Sequence, residues 1–179
     1  MQLPRGPSLT RCGTSSCVLS LVILLALQQA TCTQREPQTT DIERVLSRVG
    51  TWKLNVAKST YDPGPPPKNA TRTIEMRGNG TTQRTEGVDA TGSRMAYEFS
   101  ANYDGKDYPM TGSGTPNEAD SVAVRQIDNF TVEATLKKAG NIVQTTRSVL
   151  SKDRKVLTYT SQGNANGQPT SSVTVWERQ

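Results

Sequence analysis

Gly50-Thr51-Trp52-Lys53-Leu54-Asn55-Val56 is the stretch on which the fold turns. In an extended strand successive side chains alternate between faces, so Trp52, Leu54 and Val56 fall together on one side. A strand with one apolar face is half of a sheet and needs further strands to cover it. The rest of the chain supplies them. Downstream, turn signals recur at Gly78-Asn79-Gly80, Ala90-Thr91-Gly92, Asp104-Gly105, Gly112-Ser113-Gly114, Asp128-Asn129, Gly140-Asn141, Lys152-Asp153 and Gly163-Asn164-Ala165-Asn166-Gly167. Between them lie segments of strand length with alternating character. Met95, Tyr97, Phe99, Ala101 and Tyr103 share a face, as do Phe130, Val132, Ala134 and Leu136. Short strands spaced in this way predict an all-β antiparallel meander of about eight to ten strands closing into a barrel or sandwich.

Bulk composition agrees. Only 33% of residues are hydrophobic and 5% aromatic, which suits a sheet with one wet face or a barrel with a partly polar interior. The formal charge is +5. Arg5 and Arg11 lie ahead of residue 33, which leaves 19 of the 21 basic side chains against 16 acidic ones in the remainder. Interspersed charges of both signs predict solubility rather than a nucleic-acid partner.

Histidine is absent, and the three cysteines are Cys12, Cys17 and Cys32. Downstream of residue 32 the chain has no Cys nucleophile, no Ser-His or Cys-His pair and no usual zinc ligand. Catalytic residues, metal and cofactor are each expected to be none, and an enzyme is not expected.

Residues 1–32 read as a signal peptide, with Arg5 and Arg11 ahead of the apolar run 18–27 and small residues after it. Ala30 and Cys32 suit a cleavage site, and lipidation of Cys32 is the alternative. Residues 33–40 are polar, contain Pro37 and are expected to be a disordered linker. The domain proper is expected over 41–179. It opens with a helix over 41–49 that sets Ile42, Val45, Leu46 and Val49 on one stripe and ends at Gly50. No membrane span is expected in the mature chain, and a monomer is expected.

Asp62-Pro63-Gly64-Pro65-Pro66-Pro67 is expected to be a stiff crossing between the first two strands. A proline-rich ligand for an aromatic groove is the other use of such a run. Asp104-Gly105-Lys106-Asp107 and Asn117-Glu118-Ala119-Asp120 do not match a calcium loop and are read as solvated turns. Asn69, Asn79 and Asn129 open glycosylation triplets.

Arg147 shares a strand face with Val143, Thr145 and Val149. If that face is interior, the buried charge calls for an internal acid or a ligand carboxylate or phosphate. If the register is off by one, Arg147 points to solvent. Tyr97, Tyr103 and Tyr159 supply polar handles for a cavity. The C-terminal strand Ser171-Ser172-Val173-Thr174-Val175-Trp176-Glu177-Arg178 is expected to pair with the first strand. Trp52 would then lie near Trp176 and Arg178.

Gly50-Thr51-Trp52-Lys53-Leu54 resembles the opening of the lipocalin and fatty-acid-binding-protein superfamily, the calycins. There a Gly-x-Trp element begins the first barrel strand and an arginine near the last strand covers the tryptophan. Val175-Trp176-Glu177-Arg178 is similar to the ending of the fatty-acid-binding branch. Trp52-Lys53-Leu54-Asn55, Lys58-Ser59, Pro63-Gly64-Pro65-Pro66-Pro67, Tyr103-Asp104-Gly105-Lys106-Asp107-Tyr108-Pro109 and Ser151-Lys152-Asp153 resemble small exported bacterial lipocalin-like proteins of uncharacterised function, over about residues 48–179. The resemblance implies a lipocalin-like barrel. The chain departs from the fatty-acid-binding pattern in two places. The proline-rich run stands where the helical lid would be, and Thr174 stands where one carboxylate-anchoring arginine would be.

The expected function is therefore an exported, secreted or periplasmic, non-enzymatic protein binding a small, partly apolar or anionic molecule. Trp52, Tyr97, Arg147, Tyr159 and Trp176 are the candidate ligand-binding residues. The alternative is a structural or interaction protein of the cell envelope with a filled barrel.

Overall fold

The computed structural model describes residues 41–179. The expected signal peptide and linker, 1–32 and 33–40, lie outside the described residues. The elements are α1 (Asp41–Leu46), β1 (Gly50–Asp62), β2 (Asn69–Arg77), β3 (Gly80–Val88), β4 (Arg94–Ala101), β5 (Asp104–Ser113), β6 (Ser121–Gln126), β7 (Thr131–Lys138), β8 (Asn141–Leu150), β9 (Val156–Ala165) and β10 (Gln168–Arg178). Every strand pairs antiparallel with its neighbour in sequence, and β1 pairs with β10 to close the barrel.

Closure occurs where Trp52 predicted it. Trp52 faces Arg178 across the β1–β10 seam, and Leu54 faces Trp176. Trp52 has no accessible surface. The Arg178 guanidinium carbon lies 4.2 Å from the centre of its ring. Arg178 also donates to the carbonyls of Val49, Ser47 and Arg154, at 2.5, 2.7 and 2.7 Å. One arginine thus ties both chain ends of the domain to the β8–β9 turn. Gly50 permits this approach: it has φ +139, and a Cβ there would lie 2.6 Å from the Arg178 guanidinium.

The helix is shorter than the apolar stripe suggested. It ends at Leu46. The Ser47 amide still bonds four residues back, to the Glu43 carbonyl, but those of Arg48 and Val49 fold back three residues to Val45 and Leu46, while the Ser47 hydroxyl donates to the Arg44 carbonyl at 2.6 Å. This tightened turn delivers Arg48 into the barrel end. Val45 is buried, but Leu46 is half exposed, so the stripe is not buried as a whole. Phe130 likewise departs from its expected face. It precedes β7 and lies largely at the surface, while Val132 and Leu136 point inward.

Two apolar clusters occupy opposite arcs of the interior. One gathers Trp52, Leu54, Ile74, Leu150, Leu157 and Trp176 from β1, β2 and β8–β10. The other gathers Met110, Val122, Val124, Val132 and Leu136 from β5–β7 with Ala101 and Ala119. The side chains between them are polar, and they do not fill the space.

Candidate ligand-binding cavity

A cavity of about 480 Å3 runs between the two clusters, within the usual size range of small-molecule sites. Its apolar wall includes Leu54, Ile74, Met95, Phe99, Val124 and Leu136. Its polar wall comes from alternate residues of β3, β8 and β9: Gln83 and Thr85, Gln144, Thr146 and Ser148, and Tyr159 and Ser161. The mouth is framed at one end by Pro63, Pro65 and Pro67, by the β3–β4 turn around Asp89 and by the β5–β6 connection around Asn117. Arg48, delivered by the turn after α1, closes the other end. Its guanidinium donates to the Ser148 hydroxyl at 3.0 Å, the Phe130 carbonyl at 2.6 Å and the Ser148 carbonyl at 3.3 Å.

Arg72, on β2, places a second cation in the wall. It pairs across the sheet with Trp52, and Ala70 and Ile74 share its inward parity. Its Nε donates to the Thr85 hydroxyl at 3.0 Å. Its guanidinium carbon lies 4.6 Å from the centre of the Tyr159 ring and 4.5 Å from that of Trp176. Those two rings meet edge to face, with centroids 6.3 Å apart. The guanidinium therefore rests in an aromatic corner, where ring quadrupoles favour the cation. Among the described residues no carboxylate forms an ion pair with Arg72. Burial is the largest influence on its pKa and lowers it, but contacts with Tyr159 and Tyr97 outweigh that loss and leave a net rise, so Arg72 remains charged.

Tyr61 and Tyr103 do not supply a counter-charge. Burial pushes the Tyr61 phenol up to about 12, and burial also raises Tyr103. Both are neutral at ordinary pH and serve as hydrogen-bonding groups. Asp89, at the rim, is held below the usual carboxylate range, first by the Thr91 hydroxyl and then by the Ser93 amide. The carboxylates lining the cavity, Asp62 and Asp89, therefore stand at the mouth, while the cations stand deep.

Three of the five expected site residues line this cavity: Tyr97, Tyr159 and Trp176. Trp52 does not. It packs beneath them at the seam, its Nε1 donating to the Arg48 carbonyl at 3.0 Å. Arg147 corrects the expectation. It lies on the outer surface, cross-strand from Glu133, with an ion pair of 3.1 Å and about half its side chain exposed. Its neighbours Thr146 and Ser148 are the inward residues of β8. Arg147→Ala is expected to shift stability by under about 1 kcal/mol and to leave ligand affinity unchanged, as paired unfolding and titration experiments would show.

Arg72 and Asn117 escaped the reading of the sequence. Arg72 carried a usable signal, because Ala70 and Ile74 flank it at strand period. Asn117 carried little, because its contacts are all distant in sequence. Of the two carboxylate-containing stretches, the one at Asp104 is a local turn as expected, Asp104 accepting from the Lys106 amide at 3.0 Å and the Tyr108 hydroxyl at 3.0 Å. The stretch 117–120 corrects the expectation of a solvated turn, because Asn117, Glu118 and Asp120 bond to residues distant in sequence and Ala119 is buried. Among the described residues no cluster of metal-ligating side chains occurs.

No family model and no curated protein matches this chain. Among solved structures, it is similar to that of EF1p2_mFAP2b bound to DFHBI, with 12% identity, covering 76% of this chain and 98% of the other at a TM-score of 0.46. It is also similar to zebrafish ileal bile acid-binding protein complexed with cholic acid, with 12% identity, covering 74% and 99% at a TM-score of 0.45. On its own topology the domain is a closed ten-stranded antiparallel meander with one short helix before the strand bearing Trp52.

Proposed function

We propose that the protein binds a small acidic molecule with an apolar body, held inside the barrel by Arg72. The carrying observation is a guanidinium in the wall of a cavity of about 480 Å3 with no carboxylate partner among the described residues. Burying an unpaired charge is costly, and a carboxylate, sulfonate or phosphate on a ligand offsets that cost with charge-assisted hydrogen bonds. The apolar arcs on either side suit a hydrocarbon or ring body. The open interior argues against a barrel filled by its own side chains. Export to the periplasm or outside the cell is part of the same proposal, supported by the basic start and apolar run of residues 1–32.

Native mass spectrometry of protein purified from its source tests this. The expected result is a retained acidic small molecule, released on denaturation. Ligand-free protein whose melting temperature no member of an acidic metabolite panel raises would overturn it.

A further inference from the structure

We propose that residues 114–118 form a lid over the cavity mouth, held shut by the Asn117 side chain, and that breaking this latch admits the ligand. The inference rests on the cavity being a binding site.

The rim has three parts, and they differ in how they are held. Pro63, Pro65 and Pro67 are restricted in φ by their rings. The β3–β4 turn is tied internally, with Asp89 Oδ1 accepting from the Thr91 hydroxyl at 2.7 Å and the Ser93 amide at 2.8 Å. The β5–β6 connection has internal bonds too, from the Glu118 and Ala119 amides to the Thr115 and Pro116 carbonyls at 3.1 and 3.0 Å, but it is also latched to other strands. It leaves its own strands, passes over β7 and reaches β8 and β10 through one side-chain amide. Asn117 Nδ2 donates to the Val143 carbonyl at 3.1 Å and to Gln144 Oε1 at 3.2 Å, and it lies 3.5 Å from the Thr170 hydroxyl. Two N–H bonds are shared among three acceptors, so none of the contacts is short.

The backbone beneath the latch is unfavourable on its own. Asn117 and Glu118 are consecutive non-glycine residues in the left-handed region, with φ 50 and φ 57. The sheet makes room for the amide at Gly163, where a Cβ would lie 2.5 Å from Asn117 Nδ2. Both roots of the segment are fixed, the first by the pairing of Ser113 with Ala96. The Asp120 amide donates to the Lys137 carbonyl at 2.9 Å, and Asp120 Oδ2 accepts from the Ala139 amide at 2.6 Å. Glu118 pairs with Lys138 on the outside. A segment conformationally disfavoured at its centre, and joined to β8 and β10 through the Asn117 amide, is built to swing between its roots once that amide lets go. Pro116, Asn117 and Gly114 face the cavity, so its displacement widens the mouth.

Asn117→Gly tests the latch, because glycine keeps the left-handed conformation while the amide is lost. With 1-anilinonaphthalene-8-sulfonate as the probe, stopped-flow association and dissociation rates should both rise at least about twofold, which is the low end for losing one net hydrogen bond. The dissociation constant should stay within about twofold. A second readout needs no ligand. Acrylamide quenching of tryptophan fluorescence should increase, through Trp176 in the cavity wall, while the sealed Trp52 stays protected. Asn117→Asp, which faces the same two carbonyl oxygens without a donor, should behave in the same way and serves if the glycine variant does not fold. Unchanged rates and unchanged quenching would overturn the lid. So would a weaker affinity carried by dissociation alone with unchanged quenching, since Asn117 would then be a ligand contact. If wild-type protein fails to bind the probe, the cavity's ligand class is in error, and acrylamide quenching alone decides the lid.

Discussion

Trp52→Ala should cost about 3–5 kcal/mol, the range for truncating a fully buried large aromatic side chain. The indole has no accessible surface, and it does more than fill space. Its Nε1 satisfies the Arg48 carbonyl at 3.0 Å, and its face supports Arg178 at 4.2 Å. Arg178 in turn holds the carbonyls of Ser47 and Val49 before β1 and that of Arg154 in the β8–β9 turn. Removing the ring therefore opens a cavity, strands a carbonyl and loosens the seam at once. A domain of this size has on the order of 5–15 kcal/mol in total, so the variant should lie near the edge of folding. Trp52→Phe should lose less, because it refills most of the volume but leaves the Arg48 carbonyl without its donor, at about 1–3 kcal/mol. Equilibrium denaturation of the two variants should show that order. An unchanged unfolding midpoint in Trp52→Ala would mean that the seam does not depend on the indole.

Arg72→Leu should separate stability from binding. The substitution removes a cation that has no carboxylate partner, in a wall otherwise shared by Ala70, Ile74, Tyr159 and Trp176. A buried charge outside any ion pair carries a desolvation cost that an apolar side chain does not. The melting temperature should hold or rise. Affinity for an acidic ligand should fall by roughly tenfold to a hundredfold, the equivalent of the 1.5–3 kcal/mol typical of a hydrogen bond to a charged group. Affinity for a neutral analogue of the same shape should change little. Loss of both affinities together, or a collapse in stability, would make Arg72 a structural residue instead.

Two kinds of information in the sequence proved unequal. Trp52, Leu54 and Trp176 were legible because a tryptophan on an apolar strand face has few places to go, and closure then puts the first and last strands together. The inward face of β4 was legible because Met95, Tyr97, Phe99 and Ala101 alternate with Arg94, Ala96, Glu98 and Ser100, which are polar or small. β8 was not legible, and the reason is physical. It faces the cavity with Gln144, Thr146 and Ser148, while Val143 packs against the second cluster and Val149 lies half exposed. Apolar alternation reports burial against apolar neighbours, so it fails where the interior is polar. A register shift between Leu136 and Lys137, opposite the start of β8, weakens the signal further. The result was to point Arg147 inward when Glu133 pairs with it outside.

Arg72 was the arginine that the cavity required. Its inward direction followed from Ala70 and Ile74 on either side, yet a Thr-Arg-Thr-Ile run looks like an ordinary wet strand edge. Asn117 lay deeper in the tertiary structure still, since its acceptors come from β8 and β10.

The most direct measurement of the central claim is calorimetric titration of the wild-type protein with a matched pair, a medium-chain carboxylic acid and the alcohol of equal length. If Arg72 is an internal anion site, the acid should bind at least about tenfold more tightly than the alcohol, the difference one charge-assisted hydrogen bond makes. Equal affinities, or tighter binding of the alcohol, would contradict it.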